Sequence, residues 1–218
     1  MKSRNCRRLN GCPIAAGNTE RRIVMKVGVL ALQGAVAEHI ASLQSAGAEG
    51  VPVKHPDQLE ELDGLIIPGG ESTTIGKLMR KYNFIEAIQE FSHQGKPIFG
   101  TCAGLIVLAK GIEGEEEAHL GLMDITVSRN AFGRQRESFE TNLEVKGLKE
   151  PLRAVFIRAP LITSVADSVD VLSTYKDEIV AARQGHLLVS SFHPELTDDY
   201  SLHKYFTEMI QRRHVTVN

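Results

Sequence analysis

Cysteine is scarce in this chain, with three residues in 218. Cys6 and Cys12 fall near the start and lack metal-ligand spacing to any histidine, so Cys102 stands alone in the remainder. A lone thiol builds no disulfide framework, which favours a reducing compartment, and the chain is expected to act in the cytoplasm. No stretch approaches the roughly 20 apolar residues that cross a bilayer, so no membrane association is expected. Large net charge is missing too: the total is −2, which gives no global pull toward nucleic acid. Internal repeats, low-complexity runs and Pro/Gly/Ser-rich linkers are absent as well. With 42% hydrophobic and 24% charged residues, the chain fits one globular domain with a full core.

The small net charge hides an asymmetry. Lys2, Arg4, Arg7, Arg8, Arg21 and Arg22 face only Glu20 in residues 1–24, a local charge of +5 that leaves −7 for the rest. No apolar run of signal-peptide length lies there. A basic, acid-poor leader suits a transit peptide; translated upstream sequence, with Met25 as the true start of a clean strand, is the favoured reading. Residues 1–24 are therefore expected to be an extension outside the native fold, and residues 25–218 the domain.

Within the domain, short apolar runs alternate with helical spacing. Strands are expected at Val27–Leu32, Gly50–Lys54, Leu65–Ile67 and Pro97–Thr101, with helices at Ala35–Ala46, Glu71–Arg80, Phe84–Phe91 and Ala103–Ala109. This alternation argues for a parallel sheet covered on both faces, an α/β three-layer sandwich. The second half carries short strands near residues 125–127, 155–157, 169–172, 179–182 and 187–190, where hairpins and mixed pairing are expected. A closing amphipathic helix is expected over Tyr200–Arg212.

Three segments carry chemistry. Gly100-Thr101-Cys102-Ala103-Gly104 lies between a buried strand and a helix, the form of a nucleophile elbow with Cys for Ser. The sharp turn lifts the thiol above the sheet edge, and the helix start offers N–H groups to a thiolate and an oxyanion. The bland alternative is a packed thiol, the usual fate of a lone cysteine. His193-Pro194-Glu195 follows a strand, and Pro194 is expected to hold the segment extended, so that residues two apart share a side. Glu195 then orients His193, and His193 takes the thiol proton. His39 and His203 are read as helix-surface residues. Pro68-Gly69-Gly70-Glu71-Ser72 ends a buried strand, and its N–H groups suit an anion or a carboxylate. It lacks the ending of a phosphate loop and by itself reads only as a turn.

Together these segments resemble the class I, triad glutamine amidotransferases, whose domain is flavodoxin-like. Val29-Leu30-Ala31-Leu32-Gln33-Gly34-Ala35, Pro68-Gly69-Gly70-Glu71-Ser72-Thr73-Thr74, Phe156-Ile157-Arg158-Ala159-Pro160 and Ser191-Phe192-His193-Pro194-Glu195 sharpen the match. They are similar to the glutaminase subunits of pyridoxal 5′-phosphate synthases, from Met25 to about Arg213. The resemblance implies a catalytic triad of Cys102, His193 and Glu195. It places L-glutamine against Gly70, Glu71, Ser72, Arg129, Ile157 and Arg158, with an oxyanion hole of backbone N–H groups at Gly69, Gly70 and Ala103. It implies no metal, no organic cofactor and a synthase subunit as partner in a hetero-oligomer. From the residues alone Arg129 reads as a solvated loop charge, and the Arg134–Arg136 cluster as interface or solvated surface. Two rival functions stay open: the same chemistry in another amidotransferase or a γ-glutamyl hydrolase, and a non-catalytic binding subunit of the same fold.

Overall fold

The computed structural model describes residues 25–115, 117–129 and 138–217; the basic leader with Cys6 and Cys12, and the Arg134–Arg136 cluster, lie outside the described residues. The first strand, β1 (Lys26–Leu30), is buried along Val27–Leu30, as its continuous apolar run requires of a strand covered on both faces. It pairs in parallel with β2 (Glu49–Val53) and β3 (Gly64–Ile67). Next come β4 (Ile98–Thr101), parallel to β3, and the late strand β12 (Leu187–Ser190), parallel to β4. The order β2-β1-β3-β4-β12 is a parallel block whose carboxyl ends share one edge.

The pleat sorts side chains into two cores. Val27, Val29, Ile66 and Phe99 pack with Leu43 of α1 (Val36–Ser45) and with Leu202, Phe206 and Ile210 of α5 (Ser201–Val217). Leu30, Leu65, Ile67 and Ile98 pack on the other face with α2 (Ser72–Lys81), α3 (Phe84–His93) and α4 (Ala103–Leu108). Each such aliphatic or aromatic side chain contributes about 1.5–3 kcal/mol when fully buried. The result is the expected three layers. Helix α4 lies directly on the sheet because Gly104 has no side chain: a Cβ there would run into the Ile67 carbonyl oxygen.

Beyond β12 the sheet continues through β11 (Glu178–Gln184), β9 (Leu161–Val165), β6 (Met123–Ser128) and β5 (Ala109–Ile112), with β10 (Asp170–Tyr175) on β11. Here all pairings are antiparallel except β5 with β6. A separate ribbon of β7 (Ser138–Leu143) and β8 (Leu152–Ile157) covers the α1/α5 side; its Phe139 stacks on Phe156 at 4.6 Å, and Phe156 meets Phe192 at 5.6 Å.

Mixed pairing in this half was expected, but β5, β7 and β9 were not. Strand β7 buries only Leu143, so it lacks an apolar run, and β5 is four residues long with an internal glycine. Because Ala109 starts β5, α4 ends at Leu108, one residue early. Glu71 is the N-cap of α2 rather than its first residue, and α5 runs on past Arg212 to Val217. Among the described residues, no helix is long and apolar enough to cross a membrane.

Candidate active site

Cys102 follows β4 directly and sits at φ 50°, ψ −106°, a left-handed backbone that non-glycine residues rarely hold. Two bonds fix it there. Its N–H donates to the Ser190 carbonyl of β12 at 2.8 Å, and its own carbonyl accepts from Leu105 N–H at 3.1 Å. The elbow is thus pinned between the neighbouring strand and α4, and the residue is 8% exposed.

His193 lies three residues past the end of β12, its backbone N–H bonded to the Val155 carbonyl of β8 at 2.8 Å. Its Nδ1 bonds Glu195 Oε1 at 2.7 Å, and its ring faces the cavity together with Cys102. The expected route to this pairing needs correction. Pro194–Leu196 is a 3₁₀ turn, not an extended segment; only His193, before the proline, stays outside the helical region. Burial pushes the imidazole down, but the hydrogen bonds to Cys102 and Glu195, with the charges on both, outweigh it and raise it to about 10. Such a base holds its proton at neutral pH.

Cys102 and His193 open onto a cavity of about 490 Å³ at the carboxyl edge of the sheet, with Glu195 buried behind His193. Gly70, Glu71, Ser72 and Ala103 line it from one side; Arg129, Ile157 and Arg158 line it from the mixed half. Gly69 stands just behind: a Cβ there would lie 2.5 Å from His193 Cε1 and 3.3 Å from Cys102 Cβ, so any side chain would push base and nucleophile apart. The structure therefore brings every sequence-expected site residue together. A larger cleft of about 920 Å³, between the β7–β8 connection and β10, contains none of them.

Particular residues behave differently from expectation. The Glu71 carboxylate caps its own helix, accepting from Thr73 N–H at 3.2 Å, Thr74 N–H at 2.7 Å and Thr74 Oγ1 at 2.7 Å. The Thr74 hydroxyl bond, above all, holds it below the usual carboxylate range. Arg129 is no free solvated charge: it pairs with Glu115 and donates to Thr73 Oγ1 at 3.3 Å. Arg158 sits at φ 42° between β8 and β9.

Other residues escaped the sequence. Gln33 lines the cavity, and its Oε1 accepts Glu71 N–H at 2.9 Å. Its place after β1, at the same edge as the ends of β3 and β4, was the available signal. His39 and His203 were expected on helix surfaces; both are 0% exposed. The i, i+4 spacing of His39 with Leu43, and i, i+3 of His203 with Phe206, puts each on its helix's apolar face.

A parallel block with a cysteine elbow, and histidine and glutamate after the adjoining strand, makes this the fold of the class I glutamine amidotransferases. Residues 29–212 match the SNO glutamine amidotransferase family, and the chain belongs to it. It is similar to the pyridoxal 5′-phosphate synthase subunit PdxT of Niallia circulans, 74% identical over 187 residues that span 86% of this chain and 98% of that protein. PdxT of Anoxybacillus flavithermus is 61% identical over 188 residues, again 86% of this chain and 98% of the relative. A solved glutamine amidotransferase structure is 50% identical, with a TM-score of 0.81 over 85% of this chain and 98% of the other. PurLQS from Thermotoga maritima, at 18% identity and a TM-score of 0.66 over 88% of this chain and 99% of that one, shares the fold.

Proposed function

We propose that this chain is the glutaminase subunit of a pyridoxal 5′-phosphate synthase, hydrolysing L-glutamine to L-glutamate and ammonia. The observation that carries the reading is Cys102 and His193 lining one cavity with Glu195 bonded behind His193, in a chain 74% identical to a PdxT subunit. The Cys102 thiolate attacks the side-chain carboxamide carbon of glutamine. Backbone N–H groups around Gly69, Gly70 and Ala103 hold the oxyanion as the tetrahedral intermediate forms. His193 gives its proton to the leaving nitrogen, ammonia departs, and a glutamyl thioester remains. Water, deprotonated by His193, adds to the thioester and releases glutamate, and the proton returns to restore the starting pair. Glu195 keeps the ring oriented throughout. Arg129 and Arg158 supply cationic partners for the α-carboxylate of glutamine, and Ile157, 37% exposed, forms an apolar wall at the opening.

The ammonia passes to a synthase subunit that joins it to a pentose phosphate and a triose phosphate, in vitamin B6 biosynthesis. A working thiolate fits a reducing cytoplasm. Docking of the synthase completes the oxyanion hole, so glutaminase activity is weak in the free chain and rises on adding the synthase subunit. The test measures glutamate and pyridoxal 5′-phosphate with and without that subunit. Equal glutamate release in both arms overturns the coupling, and no release in either overturns the enzyme.

A further inference from the structure

Behind the triad lies a buried polar chain that the proposed mechanism leaves unused. Glu195, 5% exposed, commits Oε1 to His193, while its Oε2 has no hydrogen-bond partner among the described residues. A buried carboxylate oxygen without a donor costs free energy, so something must face it. That group is His39 of α1, whose Nε2 stands 3.5 Å from Oε2 and 3.2 Å from Thr101 Oγ1. His39 Nδ1 in turn lies 3.0 Å from Nε2 of His203 on α5, and His203 Nδ1 has no partner.

The partners settle where the protons sit. A nitrogen without a partner is less costly as a bare lone pair than as a buried N–H, so His203 carries its proton on Nε2 and donates to His39 Nδ1. His39 then carries its own on Nε2, aimed at Thr101 and Glu195. Both rings are neutral: burial above all holds both His39 and His203 down, the latter to about 3. Among the described residues no group of three His, Cys, Asp or Glu side chains is arranged to hold a metal ion, so the cluster is read as a hydrogen-bond chain.

We infer that His39, backed by His203, is a positioning residue for the triad: its Nε2 edge, 3.5 Å from the outer oxygen of Glu195, backs that carboxylate and so keeps the inner oxygen on His193. The inference rests on the glutaminase reading for its kinetic arm alone. The groups that bear on Glu195 are His193 and its own backbone N–H, His39 from α1 and His203 from α5; Glu38 also acts on His39, and Cys102 on His193. Without the His39 donor the carboxylate is less stable as an anion, the imidazolium loses support, and thiolate forms only at higher pH.

The experiment uses the full chain and follows iodoacetamide alkylation of the Cys102 peptide against pH. In His39→Met the midpoint is expected to rise by about half a pH unit or more. Glutaminase kcat, assayed with the synthase subunit, is expected to fall about tenfold with KM unchanged. His39→Gln, whose amide offers a donor at the Nε2 position, recovers most of both. A His39→Met midpoint equal to that of the unsubstituted chain overturns the inference. Should His39→Met fail to fold, the ¹⁵N histidine spectrum of the unsubstituted protein decides: a neutral Nε2–H tautomer at His39 supports the role, and a bare Nε2 overturns it. An alkylation shift in a chain that releases no ammonia from glutamine supports the positioning role and counts against the glutaminase reading alone.

Discussion

The parallel block of the main sheet, and the mixed strands with the β7–β8 ribbon beside them, meet at one cavity but contribute unlike things. From β1, β3, β4 and β12, buried on both faces, come Gln33, Gly69–Gly70, Cys102 and His193, each within three residues of a strand end. The half-exposed strands β6 and β8 contribute Arg129 and Ile157–Arg158. Under the proposed mechanism the bond-making groups follow fully buried strands, whereas the charged groups that face glutamine follow strands with one less-buried face. Rigid buried elements place a reacting atom more closely than exposed ones do.

The sharpest attack on that division is Cys102→Ala. It should lower glutaminase kcat by about 10⁵-fold, because the proposed covalent nucleophile has no substitute. A rate close to that of the unsubstituted chain would leave the parallel block without its chemical role. Phe156→Ala tests the other half. This side chain is 1% exposed between Phe139 and Phe192, and its loss should cost about 3–5 kcal/mol in urea unfolding. If the remaining folded protein keeps its kcat, the mixed half is a support and the division stands; a matching collapse of kcat would show the halves to be one unit. Arg129→Ala should raise KM about tenfold with kcat within about twofold, read from steady-state kinetics with the synthase present. An equal fall in kcat would move Arg129 among the bond-making groups.

The smallest effect is a pH slope in stability. His193 is held at about 10 against an ordinary 6.5, so its contribution is fully present below 6.5 and is lost as pH rises toward 10. Glu195 is held below its ordinary 4.5, despite a burial cost that pushes it up; its contribution is present above that value and fades on acidification. The urea midpoint should fall between pH 7 and pH 10. Cys102→Ala removes the largest interaction that raises His193 and should flatten that fall.

What the sequence displayed followed the same boundary. In the parallel block, continuous apolar runs ended by glycine turns marked β1, β3 and β4, and the motifs at their ends located the cavity. In β7 one face is exposed and only Leu143 of the other is fully buried, so no run of apolar residues announced it. His39 and His203 were misplaced for a related reason: a polar residue on an apolar helix face reads as surface unless its partner is known. The partner of His39 lies 164 residues away on another helix, a separation no local pattern encodes.

The register between β4 and β12 carries a consequence for how this chain can change over evolutionary time. Thr101 pairs with Ser190, so nucleophile and base stand one and three residues beyond a matched pair of positions. Strand geometry moves a residue by about 3.3 Å per step. Deleting or inserting one residue between Ser190 and His193 would displace the imidazole by about that distance and turn it to the other side. These two stretches behave as words of fixed length, in which substitution is survivable at some letters and a change of spelling length at none.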